Sequence, residues 1–117
     1  MRHRKGNDKI GLPTDQRLAL IKNGARALIL EKQIKTTDAR AKQISKYVER
    51  IITKAKKNDV TAHREVFKMI ADKIVLTELF SKEMLDKYAE MKGGYTRIIK
   101  FGIRRGDAAS LSVLELV

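Results

Sequence analysis

Apolar residues step through most of this chain by threes and fours, and near its end they begin to alternate. A step of three or four keeps one face of a helix apolar, whereas alternation keeps one face of a strand apolar. Leu18, Ile21, Ala25 and Leu28 form the first helical set, and Pro13 and Thr14 before them mark a helix start. Gly24 falls inside that set, where it is about 1 kcal/mol less favourable than Ala, so it predicts close packing against a neighbour. Gln33–Thr36 is a short extended segment. Thr36, Thr37 and Asp38 then offer a cap and a first-turn acid to the most strongly patterned helix of the chain. There Ala41, Ile44, Val48, Ile51 and Ala55 share one face, and Lys42, Lys46, Arg50, Lys54 and Lys57 form a second stripe at the same spacing. Asn58, following Lys56 and Lys57, suits a left-handed stop.

From Asp59 to Met91 the helical signal continues but is broken. Val66, Phe67 and Ile70 make one piece, Ile74, Val75, Leu79 and Phe80 another, and Leu85, Tyr88 and Met91 a third. Asp59, Thr61, Asp72 and Ser81 are the candidate caps between them. Gly93–Gly94 ends the region. Tyr95–Ile103 and Ser110–Val117 read as strands, and Arg104–Ala108, with its Gly106–Asp107 pair, as the hairpin loop joining them. Helix, strand, several helices and two strands in that order predict an α+β fold of two layers, a small sheet packed against helices. Residues 1–12 carry no such periodicity and are expected to form a basic extended arm, unordered on its own because nothing apolar pins it. A single α+β globular domain over residues 13–117 is expected to follow.

Composition narrows the function. A chain of 117 residues with 43% apolar content suits one core. The absence of Cys removes disulfides, thiolate nucleophiles and Cys-ligated zinc. No stretch approaches the roughly 18 apolar residues of a membrane span. Lys22, Asn23 and Arg26 interrupt the best run, Leu18–Leu30, which argues against a signal peptide and leaves the cytoplasm as the expected compartment. His3 and His63 are the only histidines, and neither has the carboxylate spacing of a metal or acid–base site. Gly93–Gly94 lacks a following Lys-Ser/Thr pair and precedes a strand, so it is a turn rather than a nucleotide-binding loop. No catalysis, metal, cofactor, small-molecule substrate or membrane partner is expected.

The net charge of +12 is unevenly placed. Residues 1–60 hold 16 Lys and Arg against 6 acids, while residues 61–117 hold 10 against 8. One end of the molecule is suited to a polyanion. On the basic helix Glu49 is the only acid between Gln43 and Asn58, so like charges at four-residue spacing repel unless phosphates neutralise them. The candidate nucleic-acid contacts are Arg2, His3, Arg4, Lys5 and Lys9 in the arm, Arg17, Lys22 and Arg26 on the first helix, and Lys42, Lys46, Arg50 and Lys54 on the stripe. Tyr95, Arg97, Arg104 and Arg105 add candidates from the strand and hairpin tip, although for Tyr95 the pattern favours a core or strand-pairing role over stacking on a base. Sixteen Lys to ten Arg favours backbone neutralisation over base reading. The scattered aromatics, 5% of the chain, favour recognition by shape and phosphate position over base stacking.

Several strings are more specific than composition: Met1-Arg2-His3-Arg4-Lys5, Glu31-Lys32-Gln33-Ile34-Lys35-Thr36-Thr37 with Ala39, Ala41 and Lys42, and Gly93-Gly94-Tyr95-Thr96-Arg97-Ile98-Ile99-Lys100. With Arg105-Gly106-Asp107-Ala108 and the final Glu115-Leu116-Val117, they resemble bacterial large-subunit ribosomal protein seventeen, in order and along the whole chain. The resemblance implies a non-catalytic constituent of the large ribosomal subunit that binds ribosomal RNA near the outer end of the peptide exit tunnel. It also implies neighbouring large-subunit ribosomal proteins as partners, a cytoplasmic location in the ribosome, and the order helix, strand, three helices, two strands. It places the arm, through Arg2, His3, Arg4 and Lys5, against ribosomal RNA. A DNA-binding transcriptional regulator is the alternative, since basic helices also suit the major groove. It would need base-reading Asn, Gln or Arg where the stripe is nearly all Lys. An RNA-modifying enzyme would need a cofactor loop or an acid–base constellation, and none is found in the sequence.

Overall fold

The first element of the computed structural model, which describes residues 13–117, is helix α1 (Thr14–Glu31). The expected arm, with Arg2, His3, Arg4, Lys5 and Lys9, lies outside the described residues. Helix α1 starts at Pro13, whose carbonyl accepts from the Arg17 amide at 2.9 Å, and no side chain caps it. It stops at Lys32, which takes the left-handed conformation (φ 69°) and donates its amide to the Leu28 carbonyl at 2.7 Å. Strand β1 (Gln33–Thr37) leads directly into α2 (Asp38–Ala55). The Thr37 side chain makes no capping bond. The Asp38 carboxylate instead accepts from the Ser112 hydroxyl at 3.0 Å and lies 3.3 Å from Lys42 Nζ. The Ser112 bond and then Lys42 hold that carboxyl below the usual range. Asn58 ends the helical path at φ 47°, as its side chain favours.

Helices α3 (Val60–Met69), α4 (Lys73–Leu79) and α5 (Lys82–Tyr88) follow. Asp59 accepts from the Ala62 amide at 2.7 Å, Asp72 from the Ile74 amide at 2.9 Å, and Ser81 from the Met84 amide at 3.3 Å. Each cap satisfies an otherwise orphaned helical donor. Thr61 lies inside α3 and caps nothing. The architecture is α+β as expected, but four helices rather than three separate β1 from β2 (Thr96–Ile103). The three separate apolar pieces after Asp59 anticipate this count, and the third cap, Ser81, starts α5.

Strand β3 (Ser110–Leu116) lies between β1 and β2 and pairs antiparallel with both. Ile34, Leu114 and Ile98 therefore stand in one row across the sheet, on the face toward the helices. A bulge at Phe101 shifts the register before the hairpin, which closes with the Arg104 amide on the Ala109 carbonyl at 2.8 Å. Between the two layers are Leu28, Ile29, Val48, Ile51, Val66, Val75 and Leu114, all essentially without solvent contact. At Gly24 an added Cβ would fall 2.4 Å from Ile44 Cδ1, so the glycine lets α1 and α2 approach where a side chain would collide. Ser112, buried in this core, is satisfied by its bond to Asp38.

Candidate nucleic-acid interface

The apolar period of α2 fixes which of its charges face outward. With Ala41, Ile44, Val48, Ile51 and Ala55 buried, Lys42, Lys46, Arg50 and Lys57 are left exposed and Lys54 half-buried. Lys46, Arg50, Lys54 and Lys57 line an open cleft of about 580 Å³ with Glu49, Thr53, Gly93 and Tyr95. One wall is thus the α2 helix, and the other is the main chain where Gly93–Gly94 turns into β2. Glu49, the only acid in the stripe, is tied toward β2, since its Oε1 accepts from the Thr96 hydroxyl at 3.3 Å. That hydroxyl is also 2.6 Å from Ser45 Oγ. A groove of about 930 Å³ along α3 and α4 has a different lining, with Val60, Phe67 and Leu76 beside Asp59, Arg64 and Lys68.

The predicted contact residues divide by whether an acid already holds them. Among the described residues, Arg17, Lys22, Lys46, Arg50 and Arg105 have no carboxylate within salt-bridge distance. Lys42 lies by Asp38, and Lys54 Nζ is 3.2 Å from Glu65 on α3. Arg26 Nε is 3.0 Å from Asp72, close enough to attract though not aligned as a hydrogen bond. Arg97 donates to Glu115 across the β2–β3 pair, with Nε at 2.7 Å. Arg104 grips Asp107 with two nitrogens, Nε at 3.1 Å and Nη2 at 2.5 Å. That fork, together with the Ala109 amide, pulls the Asp107 carboxyl down to about 2.

Tyr95 departs from its place among the candidate contacts. Its side chain is buried, 1% exposed, and meets Tyr88 edge-to-face with ring centroids 5.4 Å apart. Its hydroxyl accepts from Lys56 Nζ at 3.1 Å and donates to the Met91 carbonyl at 3.2 Å. The ring is core, and no base can stack on it. Four cleft residues, Glu49, Thr53, Lys57 and Gly93, were absent from the candidate set. Lys57 read as the last cation of the stripe, and Gly93 as half of a turn. Their shared position appears only once β2 folds back beside α2.

Among the described residues no three His, Asp or Glu side chains gather as a metal site, and no helix is long and apolar enough to cross a membrane. The profile of the family described as ribosomal protein L17 matches residues 20–117. The chain is similar to the large ribosomal subunit protein bL17 of Campylobacter lari, 48% identical over all 117 residues and 99% of that relative. The bL17 proteins of Campylobacter concisus and Fusobacterium nucleatum are 47% and 44% identical over the whole chain, covering 98% and 100% of their own lengths.

Proposed function

The chain belongs to the ribosomal protein L17 family, a structural constituent of the bacterial large ribosomal subunit that works in translation and is not an enzyme, and from that premise we propose how it acts: it binds ribosomal RNA with its unpaired cations. The observation that carries this reading is the outward face of α2, where Lys46 and Arg50 stand exposed over an open cleft with no carboxylate within salt-bridge distance among the described residues. Phosphates would neutralise charges that otherwise only repel one another. Arg17, Lys22 and Arg105 extend the contact, as do Arg2, His3, Arg4, Lys5 and Lys9, taken as an arm over 1–12 attached to a globular unit over 13–117. Lys42, Lys54, Arg26, Arg97 and Arg104 join it by exchanging a carboxylate for a phosphate. Such exchanges are cheap, because exposed ion pairs contribute only about 0–1 kcal/mol.

Mechanistically, the arm and the α2 face neutralise converging RNA segments, and the packed domain fixes their separation. The family resemblance supports a position near the outer end of the peptide exit tunnel, with other large-subunit proteins as neighbours. Titration of the protein with a large-subunit ribosomal RNA fragment tests the binding. If about six phosphates are contacted, log affinity falls with log salt at a slope near −4 to −5. A slope near zero overturns the reading. Cosedimentation with large subunits in one copy per particle is the matching expectation in extracts.

A further inference from the structure

The cleft between α2 and the Gly93–Gly94 turn has a feature that the fold itself does not require. Gly94 takes φ +66°, a conformation that explains its glycine. Gly93 takes no such conformation, and an added Cβ there would meet nothing within 4 Å. Neither backbone geometry nor packing within the chain calls for the missing side chain. Directly across the cleft are Arg50, Lys54 and Lys57, with Lys46 one turn further along the helix. Among the described residues, the Gly93 and Gly94 amides donate to no main-chain carbonyl, and both residues are exposed. One wall of the cleft is therefore cationic, and the other is bare main chain with donors to offer. A nest of free amides opposite cations is a setting for an anion.

We propose that this cleft seats the sugar–phosphate backbone of a ribosomal RNA strand, with Gly93 kept bare so that the strand can lie against the main chain. The inference rests on the RNA-binding reading above and adds where a strand is gripped from two sides. Successive charges on the helix, four residues apart, rise by about 6 Å, comparable to the step between neighbouring phosphates along a strand. Lys46 and Arg50 meet neighbouring phosphates, Lys57 meets one further along, and the Gly93–Gly94 amides donate to the oxygens on the opposite side. Glu49 also lines the cleft, with its Oε1 held by the Thr96 hydroxyl of β2. Recognition here is of backbone shape, since the buried Tyr95 floor offers no ring to a base.

The test uses the full chain and a transcript of large-subunit ribosomal RNA, with affinity measured across salt concentrations. Gly93→Val fills the cleft at an exposed position of ordinary backbone geometry, so its melting temperature should stay within about 2 °C of the wild type. Its affinity should fall by about tenfold or more at every salt concentration, with the slope nearly unchanged. Gly93→Ala should fall between the two. Lys57→Gln should reduce the slope by about 0.7 to 0.9, one phosphate contact. Gly93→Val binding within twofold of wild type overturns the cleft assignment, as does an unchanged slope in Lys57→Gln. Failure of the broader reading looks different: there the wild-type slope itself is near zero. A steep wild-type slope with an indifferent Gly93→Val leaves RNA binding standing and removes only the cleft.

Discussion

Lys46 and Arg50 on α2, and Lys57 just past its end, have no acid within salt-bridge distance among the described residues, whereas Arg97 and Arg104 on the β2–β3 hairpin each hold one. Both surfaces are basic in sequence, and both contain residues expected to meet RNA. They differ in what the fold has already done with the charge. On α2 the apolar face is packed by α1 and the sheet, and on the other side Lys42 and Lys54 hold acids while Lys46 and Arg50 hold none among the described residues. On the hairpin, antiparallel pairing sets Arg97 opposite Glu115, and the tight loop returns Asp107 to Arg104. A phosphate arriving at α2 relieves repulsion, while one arriving at the hairpin must displace a carboxylate. Net charge counts residues, and affinity depends on which of them are unengaged.

The strongest test of this contrast removes equal charge from each side. Lys46→Gln, Arg50→Gln and Lys57→Gln together should lower the salt slope of RNA binding by about 2 to 3, half or more of its expected magnitude. Arg97→Gln, Arg104→Gln and Arg105→Gln together should lower it by only about 1, most of it through Arg105. Equal losses in the two titrations would break the distinction. Gly24→Val comes next in size. Its side chain would collide with Ile44, and overpacking of that kind destabilises by about 1–3 kcal/mol. Chemical denaturation should show that loss, while the salt slope measured well below the unfolding transition stays that of the wild type.

Tyr95→Phe separates core from contact. Losing a hydroxyl bonded to Lys56 and Met91 should lower unfolding free energy by about 1 kcal/mol and leave RNA affinity within twofold. A large affinity loss with full stability would return Tyr95 to the interface. Asp107→Asn has the smallest effect and the most telling direction: freeing Arg104 should strengthen RNA binding and steepen the slope, by less than about 1. The same pair gives a pH signature. Because the folded Asp107 carboxyl sits at about 2, below its ordinary 3.8, its contribution to hairpin order is full above pH 4. It is lost as pH falls from about 4 toward about 2. Amide shifts of Arg104 and Ala109 followed by NMR should move in that window, and their indifference would show that the ion pair does not form.

The sequence pattern reveals local features well and tertiary pairing poorly. The α2 stripe was legible because Ala41 to Ala55 and Lys42 to Lys57 keep the same period on opposite faces. Asp59, Asp72 and Ser81 were legible as caps because their bonds reach only two or three residues onward. They also separate the three pieces that fold as α3, α4 and α5, one helix more than the family resemblance implied. Lys32 gave no warning of its left-handed turn, which normally calls for Gly or Asn. It is held there by tertiary contacts: its carbonyl accepts from the Leu116 amide at 3.0 Å, and its ammonium donates to Glu78 at 2.6 Å. The pairing of Arg26 with Asp72 and of Arg97 with Glu115 depends on segments distant in the chain being brought side by side. Charge spacing along one helix contains no information about that. The core reading of Tyr95 was available, but its partner was not, because Tyr88 lies across the Gly93–Gly94 turn.

The central position of β3 governs the order in which this protein can fold. Strands β1 and β2 do not pair with each other, so neither has a ladder partner until Ser110–Leu116 has been synthesised. The β1–β3 pair closes a loop of about eighty residues, a slow step that gains nothing until nearly the whole loop is in place. The local contacts of α1 and α2 can form earlier, burying Ile44 against Gly24 while the inner face of β1 still lacks its cover. A nascent chain at that stage is a helical half-structure with an exposed strand, open to wrong partners. The last strand thus acts as a kinetic latch, and a single late docking event completes the sheet, seals the core and brings the two walls of the cleft together.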